Sequence, residues 1–136
     1  MPPGLRDQIQ AEPWARALGV EYLTLARGHC RVALRLRPEM LNYQGYPHGG
    51  VIFSLADIAF GAACNSHGEP AVALTMTASF LAAVAPGSRL IAEARERHQG
   101  PQTGFYDVAV STEAGATVAR LTCVAHRIRP GAARRA

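Results

Sequence analysis

The chain has no lysine: its 14 cationic side chains are all arginine, set against 10 acidic ones for a net charge of +4. So modest an excess, without a basic stripe interleaved with aromatics, excludes a dedicated nucleic-acid binder. Arginine forks suit phosphate, which keeps an anionic small molecule in play; a compositional arginine bias explains them equally. Cysteine is scarce as well. Cys30, Cys64 and Cys123 are odd in number and far apart, with no C-x-x-C pair, and this excludes a disulfide framework. His29, His48, His67, His98 and His126 lack metal-ligand spacing, so no metal site is expected. No run supplies the ~20 solidly apolar residues of a membrane helix; residues 71–88 are broken by Thr75, Thr77, Ser79 and Pro86. The start lacks a charged segment followed by an apolar one, so no signal peptide is expected. The expectation is one soluble, cytoplasmic domain over residues 1–136, with its core at 14–129 and a flexible tail at 130–136 that holds Arg134 and Arg135.

What is present reads as α+β. Residues 5–18 form a short helix interrupted at Pro13 and closed by Gly19. A strand at 21–27 turns at Gly28. Cys30, Val32, Leu34 and Leu36 then alternate with Arg31, Ala33, Arg35 and Arg37, a strand with one dry and one wet face that ends at Pro38. A loop at 42–47 leads into a helix at 49–66, stopped by Gly68. Apolar side chains occupy nearly all sides of this helix, which therefore reads as buried. Strands follow at 71–82, 89–99, 103–112 and 117–129, with turns at Pro86-Gly87, Gly100-Pro101 and Ala114-Gly115. Short turns imply an antiparallel sheet, and a helix apolar all round needs that sheet to curve around it. One sheet cannot cover every side, so a second chain is expected to close the site.

Between Glu39 and Arg89 only Asp57 and Glu69 carry a permanent charge. Glu69 sits in a Gly-Pro turn and needs no explanation. Asp57 lies in mid-helix between Ala56 and Ile58, where a lone carboxylate is costly to bury and tends to mark a functional site; an exposed helix face or a structural hydrogen bond is the other reading. The helix opens on His48-Gly49-Gly50. A helix start carries unpaired N–H groups and partial positive charge, and glycine lets a ligand approach that backbone, so the place suits a developing oxyanion; a plain loop-to-helix turn would look the same. Gly49 and Asp57 are eight residues apart, about 12 Å along one helix. A reacting carbon must be near both groups. Two antiparallel helices across a two-fold axis achieve this, and the site then occurs twice per dimer.

The segment Leu41-Asn42 through Gly45, His48-Gly49-Gly50 and Phe53-Ser54-Leu55-Ala56-Asp57 to Cys64-Asn65-Ser66 resembles the active-site segment of the hotdog-fold thioesterases. Within them it is most similar to the phenylacetate-degradation branch, as are the run from Arg97 through His98, Gln99, Gly100, Gly104 and Phe105 to Asp107 and the closing His126-Arg127-Ile128. The resemblance spans about residues 15–129 and implies a long central helix wrapped by a curved antiparallel sheet. It also implies roles. The Gly49 N–H polarises the thioester carbonyl, Asn42 positions that carbonyl or the attacking water, His48 lies near the leaving sulfur, and Asp57 of the facing subunit is nucleophile or general base. Asn42 as a loop cap and His48 as a helix cap are the alternatives. Gly50 lets the ligand approach, and Tyr43, Tyr46 and Phe53 line an aromatic acyl pocket or are ordinary core.

Two departures from the family pattern stand out. Where relatives often place a water-orienting Ser or Thr, this chain has Ala73; Thr75 and Thr77 follow at period two, and Thr77 is the candidate replacement. Ala82-Ala83 follow Phe80-Leu81 where relatives often have Arg-Pro, which removes one cationic contact to the substrate's tail. His98, Gln99 and Gly100 read as a well-made hairpin, with ligand contact or a tetramer interface as the other reading. The implied activity is hydrolysis of an acyl-coenzyme A, phenylacetyl or ring-hydroxylated phenylacetyl, by a homodimer that pairs into a homotetramer. No metal or redox cofactor is expected, since coenzyme A is part of the substrate. The rivals are an acyl-thioester dehydratase and a non-catalytic acyl-coenzyme A binder.

Overall fold

The computed structural model describes residues 1–128; the expected tail at 130–136, and Arg129 at the end of the expected core, lie outside them. The N-terminal segment is two helices rather than one interrupted helix. They are α1 (Leu5–Gln10) and α2 (Pro13–Leu18), the second opened by Pro13 in its first turn and closed by Gly19 at φ 84°. Proline fits there because its missing N–H would be unpaired anyway, and glycine adopts the left-handed cap without strain.

Strands β1 (Glu21–Ala26), β2 (His29–Arg35), β3 (Ala71–Phe80), β4 (Arg89–Gln99), β5 (Thr103–Thr112) and β6 (Thr117–Arg127) form one sheet in the order β1-β2-β4-β5-β6-β3. All five pairings are antiparallel. Helix α3 (Gly49–Asn65) packs on one face of this sheet, so the architecture is the expected α+β one. Period-two alternation sends Val32, Leu34, Leu90, Ala92, Val108, Val110, Leu121 and Cys123 toward the helix, and all are buried. The facing side of α3 is rich in alanine, which seats the helix close to the sheet. Phe60 fills the remaining depth, edge-on to Tyr106 at 5.5 Å between ring centres.

Two polar clamps fix the far end of α3. The buried Ser66 hydroxyl donates to the Ala63 carbonyl (2.6 Å) and accepts from the Gly28 amide (2.8 Å). Asn65 donates to the Gly61 and Ala71 carbonyls and accepts from the Ala71 amide. All three cysteines are buried and free, and burial pushes each thiol up to about 12, which leaves them unreactive.

Within one subunit the sheet leaves part of helix α3 uncovered. Gly50 and Asp57 are exposed, and Phe53, Ser54 and Gly61 half-buried, in a stripe at helical spacing. The sequence looks apolar all round because most of this open stripe is itself apolar or small. Strand β3 forms one edge of the sheet, with Val72, Leu74 and Phe80 exposed to 45%, 59% and 53%. An unpaired edge carrying that much apolar surface is an unusual thing to leave in water.

Candidate active site

The loop before α3 is tied by its own polar groups. Asn42 Oδ1 accepts from the amides of Gln44 (2.9 Å) and Tyr46 (3.1 Å), while the Asn42 amide donates to the Tyr46 carbonyl (2.7 Å). Gly45, at φ 86°, makes the reversal, and Leu41 pairs with Pro47 across it. Asn42 is thus a loop clamp through its oxygen. Its Nδ2 has no acceptor among the described residues and can still donate to a ligand.

His48 is the N-cap of α3, and its Nδ1 accepts from the Gly50 amide at 2.9 Å. That bond leaves the neutral ring's proton on Nε2, which is then a donor directed away from the backbone. The amides of Val51 and Ile52 both reach the His48 carbonyl. Of the first turn, only the Gly49 N–H has no acceptor among the described residues. The amide of Gly50 is therefore already bonded within the subunit. Its missing side chain makes room for the cap, since a Cβ there would stand 3.1 Å from His48 Nδ1.

Gly49, whose amide is free, lines a cleft of about 360 Å³. Gly49 and Ile52 form its floor, Tyr46 and Pro47 one wall, and residues 80–84 the other. Tyr46 thus lines this cleft, whereas Tyr43 is 96% exposed. Phe53 lies outside this cleft, half-buried on the open stripe of α3 and packed against the core.

Asp57 is two turns away on that stripe and open to water in the single subunit. Water reaches the carboxyl, yet neighbouring protein desolvates it in part. The resulting desolvation holds its pKa above the ordinary carboxylate range. One subunit therefore presents an oxyanion donor and a carboxylate that it cannot bring to the same atom.

Thr77 is not brought to either group. It pairs with Thr122, which points away from the core because its neighbours Leu121 and Cys123 point in. Thr77 lies with Ser79, Asp107, Arg120 and Thr122 around a hollow on the face of the sheet opposite α3. Thr75, opposite Val124, faces the same way, and the helix side of β3 carries Ala73, Met76 and Ala78 instead. The bulge between Ala73 and Thr75 shifts the alternation there, which a period-two count does not reveal. His98, Gln99 and Gly100 form a closed hairpin end, with the Gly100 amide on the Thr103 carbonyl (2.7 Å) and Tyr106 Oη on Gln99 Oε1 (3.4 Å).

Two residues that the sequence did not single out belong with this region, one within electrostatic reach of Asp57 and one on its stripe. Glu12, from the start of α2, has its carboxyl pKa raised by burial and by the Asp57 charge. Gly61 lies one turn beyond Asp57 on the same stripe. A lone glycine inside a helical run is the sequence signal that marks Gly61; nothing local marks Glu12, which reads as a residue before proline.

The capping role of His48 is separable from any chemistry. His48→Ala is expected to cost about 1 kcal/mol of stability through the lost cap and also to lower turnover. His48→Ser restores the cap without Nε2–H, so thermal melts should recover while the turnover deficit persists.

A family model described as the thioesterase superfamily matches residues 44–119. The acyl-coenzyme A thioesterase PaaI of Escherichia coli is 43% identical over 114 residues, covering 84% of this chain and 81% of that protein. The solved structure of the E. coli PaaI protein from the phenylacetic acid degradation operon superposes with a TM-score of 0.87 at 40% identity, over 91% of this chain and 90% of that one. A Streptococcus mutans protein bound to acetyl-coenzyme A superposes with a TM-score of 0.77 at 30% identity, over 80% of this chain and 88% of that one.

Proposed function

This chain belongs to the thioesterase superfamily, and on that premise we propose that it hydrolyses an arylacetyl-coenzyme A at two sites, each shared between the subunits of a homodimer. The observation that carries this reading is the division of labour along α3. The Gly49 amide is left free at a cleft, while the partly desolvated Asp57 lies about 12 Å further on. Antiparallel apposition of two copies of α3 brings Asp57 of one subunit to the helix start of the other. The names of the E. coli relative support the acyl-coenzyme A substrate and, through its operon, the phenylacetyl group. The acetyl-coenzyme A in the S. mutans structure supports this fold as a holder of coenzyme A thioesters.

In that arrangement the thioester carbonyl oxygen accepts from the Gly49 N–H, at the positive end of α3. As a general base, Asp57 takes a proton from water; the water oxygen bonds to the carbonyl carbon and the oxyanion forms on Gly49. Collapse breaks the C–S bond, and the departing thiolate takes the proton back from Asp57 while His48 Nε2–H donates a hydrogen bond to the sulfur. As a nucleophile, Asp57 instead bonds to the carbonyl carbon and expels the coenzyme A thiolate to form an acyl anhydride, which water then opens, its released proton going to the thiolate. Both routes yield a free acid and coenzyme A, need only substrate and water, and give Asn42 Nδ2 the same positioning task. No resident cofactor or metal is proposed.

The exposed apolar edge of β3 supports the dimer. A second copy of β3, antiparallel about a two-fold axis, would satisfy the open edge and cover Val72 and Leu74. A homotetramer of two such dimers and a cytoplasmic location complete the proposal; no helix among the described residues is long and apolar enough to cross a membrane. Leu74→Glu is expected to shift the protein to monomer in sedimentation velocity, and turnover should fall with the dimer fraction. A fully active monomer would contradict the shared site.

The function itself is tested by thiol release from phenylacetyl-coenzyme A. Tight binding without thiol release would favour the non-catalytic binder, and water addition to an enoyl-coenzyme A without cleavage would favour the dehydratase.

A further inference from the structure

Gly61 has no reason for being glycine inside its own subunit. It lies within α3, its φ is not positive, and a Cβ built there meets nothing within 4 Å. Glycine in a helix interior costs about 1 kcal/mol relative to alanine. What it preserves is empty space, a groove of about 330 Å³ between α3 and the N-terminal helices. Gly61 and Ala62 bound it on one side, Gln8 and Ile9 on the other, and Glu12 and Asn65 complete it. The Asn65 amide is already spent on backbone groups. Glu12 is not: among the described residues it makes no ion pair. An acid that lines a groove, open to water and with no cation to hold it, is a hydrogen-bonding group without a structural employer. The groove continues the open stripe that carries Asp57.

We propose that this groove is the acyl subsite and that Glu12 accepts a hydrogen bond from a hydroxyl on the substrate's aromatic ring. The inference rests on Asp57 being the residue that acts on the thioester. From Asp57 to Gly61 is one helix turn, about 5–6 Å, the scale of an arylacetyl group from carbonyl to ring. The ring lies over the bare backbone of Gly61 and against Ile9, with its hydroxyl toward Glu12. Glu12 is exposed in the free subunit; where a bound ring shields it from water, phenylacetyl would leave the carboxyl without a partner, and a site built for a hydroxyl discriminates against a substrate without one. The subunit that supplies the carboxylate then also reads the acyl group, while its partner holds the carbonyl oxygen.

The test is a ratio. The kcat/KM for 4-hydroxyphenylacetyl-coenzyme A divided by that for phenylacetyl-coenzyme A should fall about 10-fold or more in Glu12→Ala and recover in part in Glu12→Gln. In Gly61→Val, phenylacetyl turnover should fall at least about 10-fold relative to acetyl turnover, with the dimer intact by sedimentation. An unchanged hydroxyl ratio in Glu12→Ala overturns the proposal. So does a Gly61→Val protein that dissociates and loses all substrates alike, because Gly61 would then serve subunit packing. Asp57→Asn run alongside separates the two levels. If it abolishes turnover while the ratios stay flat, the subsite alone is wrong; if it turns over normally, the reading of Asp57 fails and the subsite falls with it.

Discussion

Asp57→Asn is expected to lower kcat about 1,000-fold while leaving the fold intact, the scale of losing a positioned base or nucleophile. Three features of the residue lead there. It is the charged group on the open stripe of α3, desolvation raises its pKa, and among the described residues no cation pairs with it. The raised pKa fixes the sign of the pH dependence. Either catalytic role needs the carboxylate, so kcat/KM should fall as pH drops, with a midpoint above the ordinary aspartate value of about 3.9. The same shift governs stability. A carboxyl whose folded pKa exceeds its unfolded pKa contributes stability at low pH that is lost as pH rises through the folded value. At pH 7 the charged Asp57 is therefore a burden on the fold, and Asn removes it. The melting temperature of Asp57→Asn at pH 7 should equal or exceed that of the wild type, the exchange of stability for activity expected of a working acid. A variant that melts much lower would show Asp57 holding structure instead, and a variant with normal turnover would remove it from the chemistry.

Gly49→Pro should lower kcat about 100- to 1,000-fold, the cost of one oxyanion donor, with little loss of stability. This substitution deletes a single hydrogen atom of interest. Gly49 is the first residue of α3, where proline is well tolerated because its absent N–H has no helical partner. His48 before it is extended, at φ −66° and ψ 135°, which suits a residue preceding proline. A side chain at Gly49 would meet the Phe80 ring at an ordinary 3.6 Å. Gly49→Ala, which keeps the N–H, is the control and should retain most turnover. Equal losses in both variants would assign the effect to bulk in the cleft, and normal turnover in Gly49→Pro would leave the carbonyl oxygen to another donor.

The order of elements was legible in the sequence because each carries its own periodicity and its own stop, as Gly19, Pro38 and Gly68 do. So was the separation of Gly49 from Asp57, which is helix geometry alone. Which residues form the open stripe of α3 was not, because Gly50, Phe53 and Gly61 are as apolar or as small as buried residues, and hydropathy does not say what covers a side chain. Thr77 falls on the opposite face from the one expected because one extra residue in β3 resets the alternation. Glu12 lies far from α3 in sequence, and only the docking of α2 through the buried Ala15 and Leu18 brings it to the groove beside that helix. The Gly50 amide is bonded within the subunit because His48 turns back onto it, a choice of side-chain rotamer that residue types do not dictate.

A heterodimer of one Asp57→Asn subunit and one Gly49→Pro subunit, purified through two different tags, tests the shared site most directly. Each parent homodimer should be nearly inactive. If carboxylate and oxyanion donor come from opposite chains, the heterodimer contains one site with both defects and one with neither, and should show about half of wild-type activity per dimer. Activity no higher than that of the parents would mean that both groups act from the same chain, and would contradict a site divided between subunits.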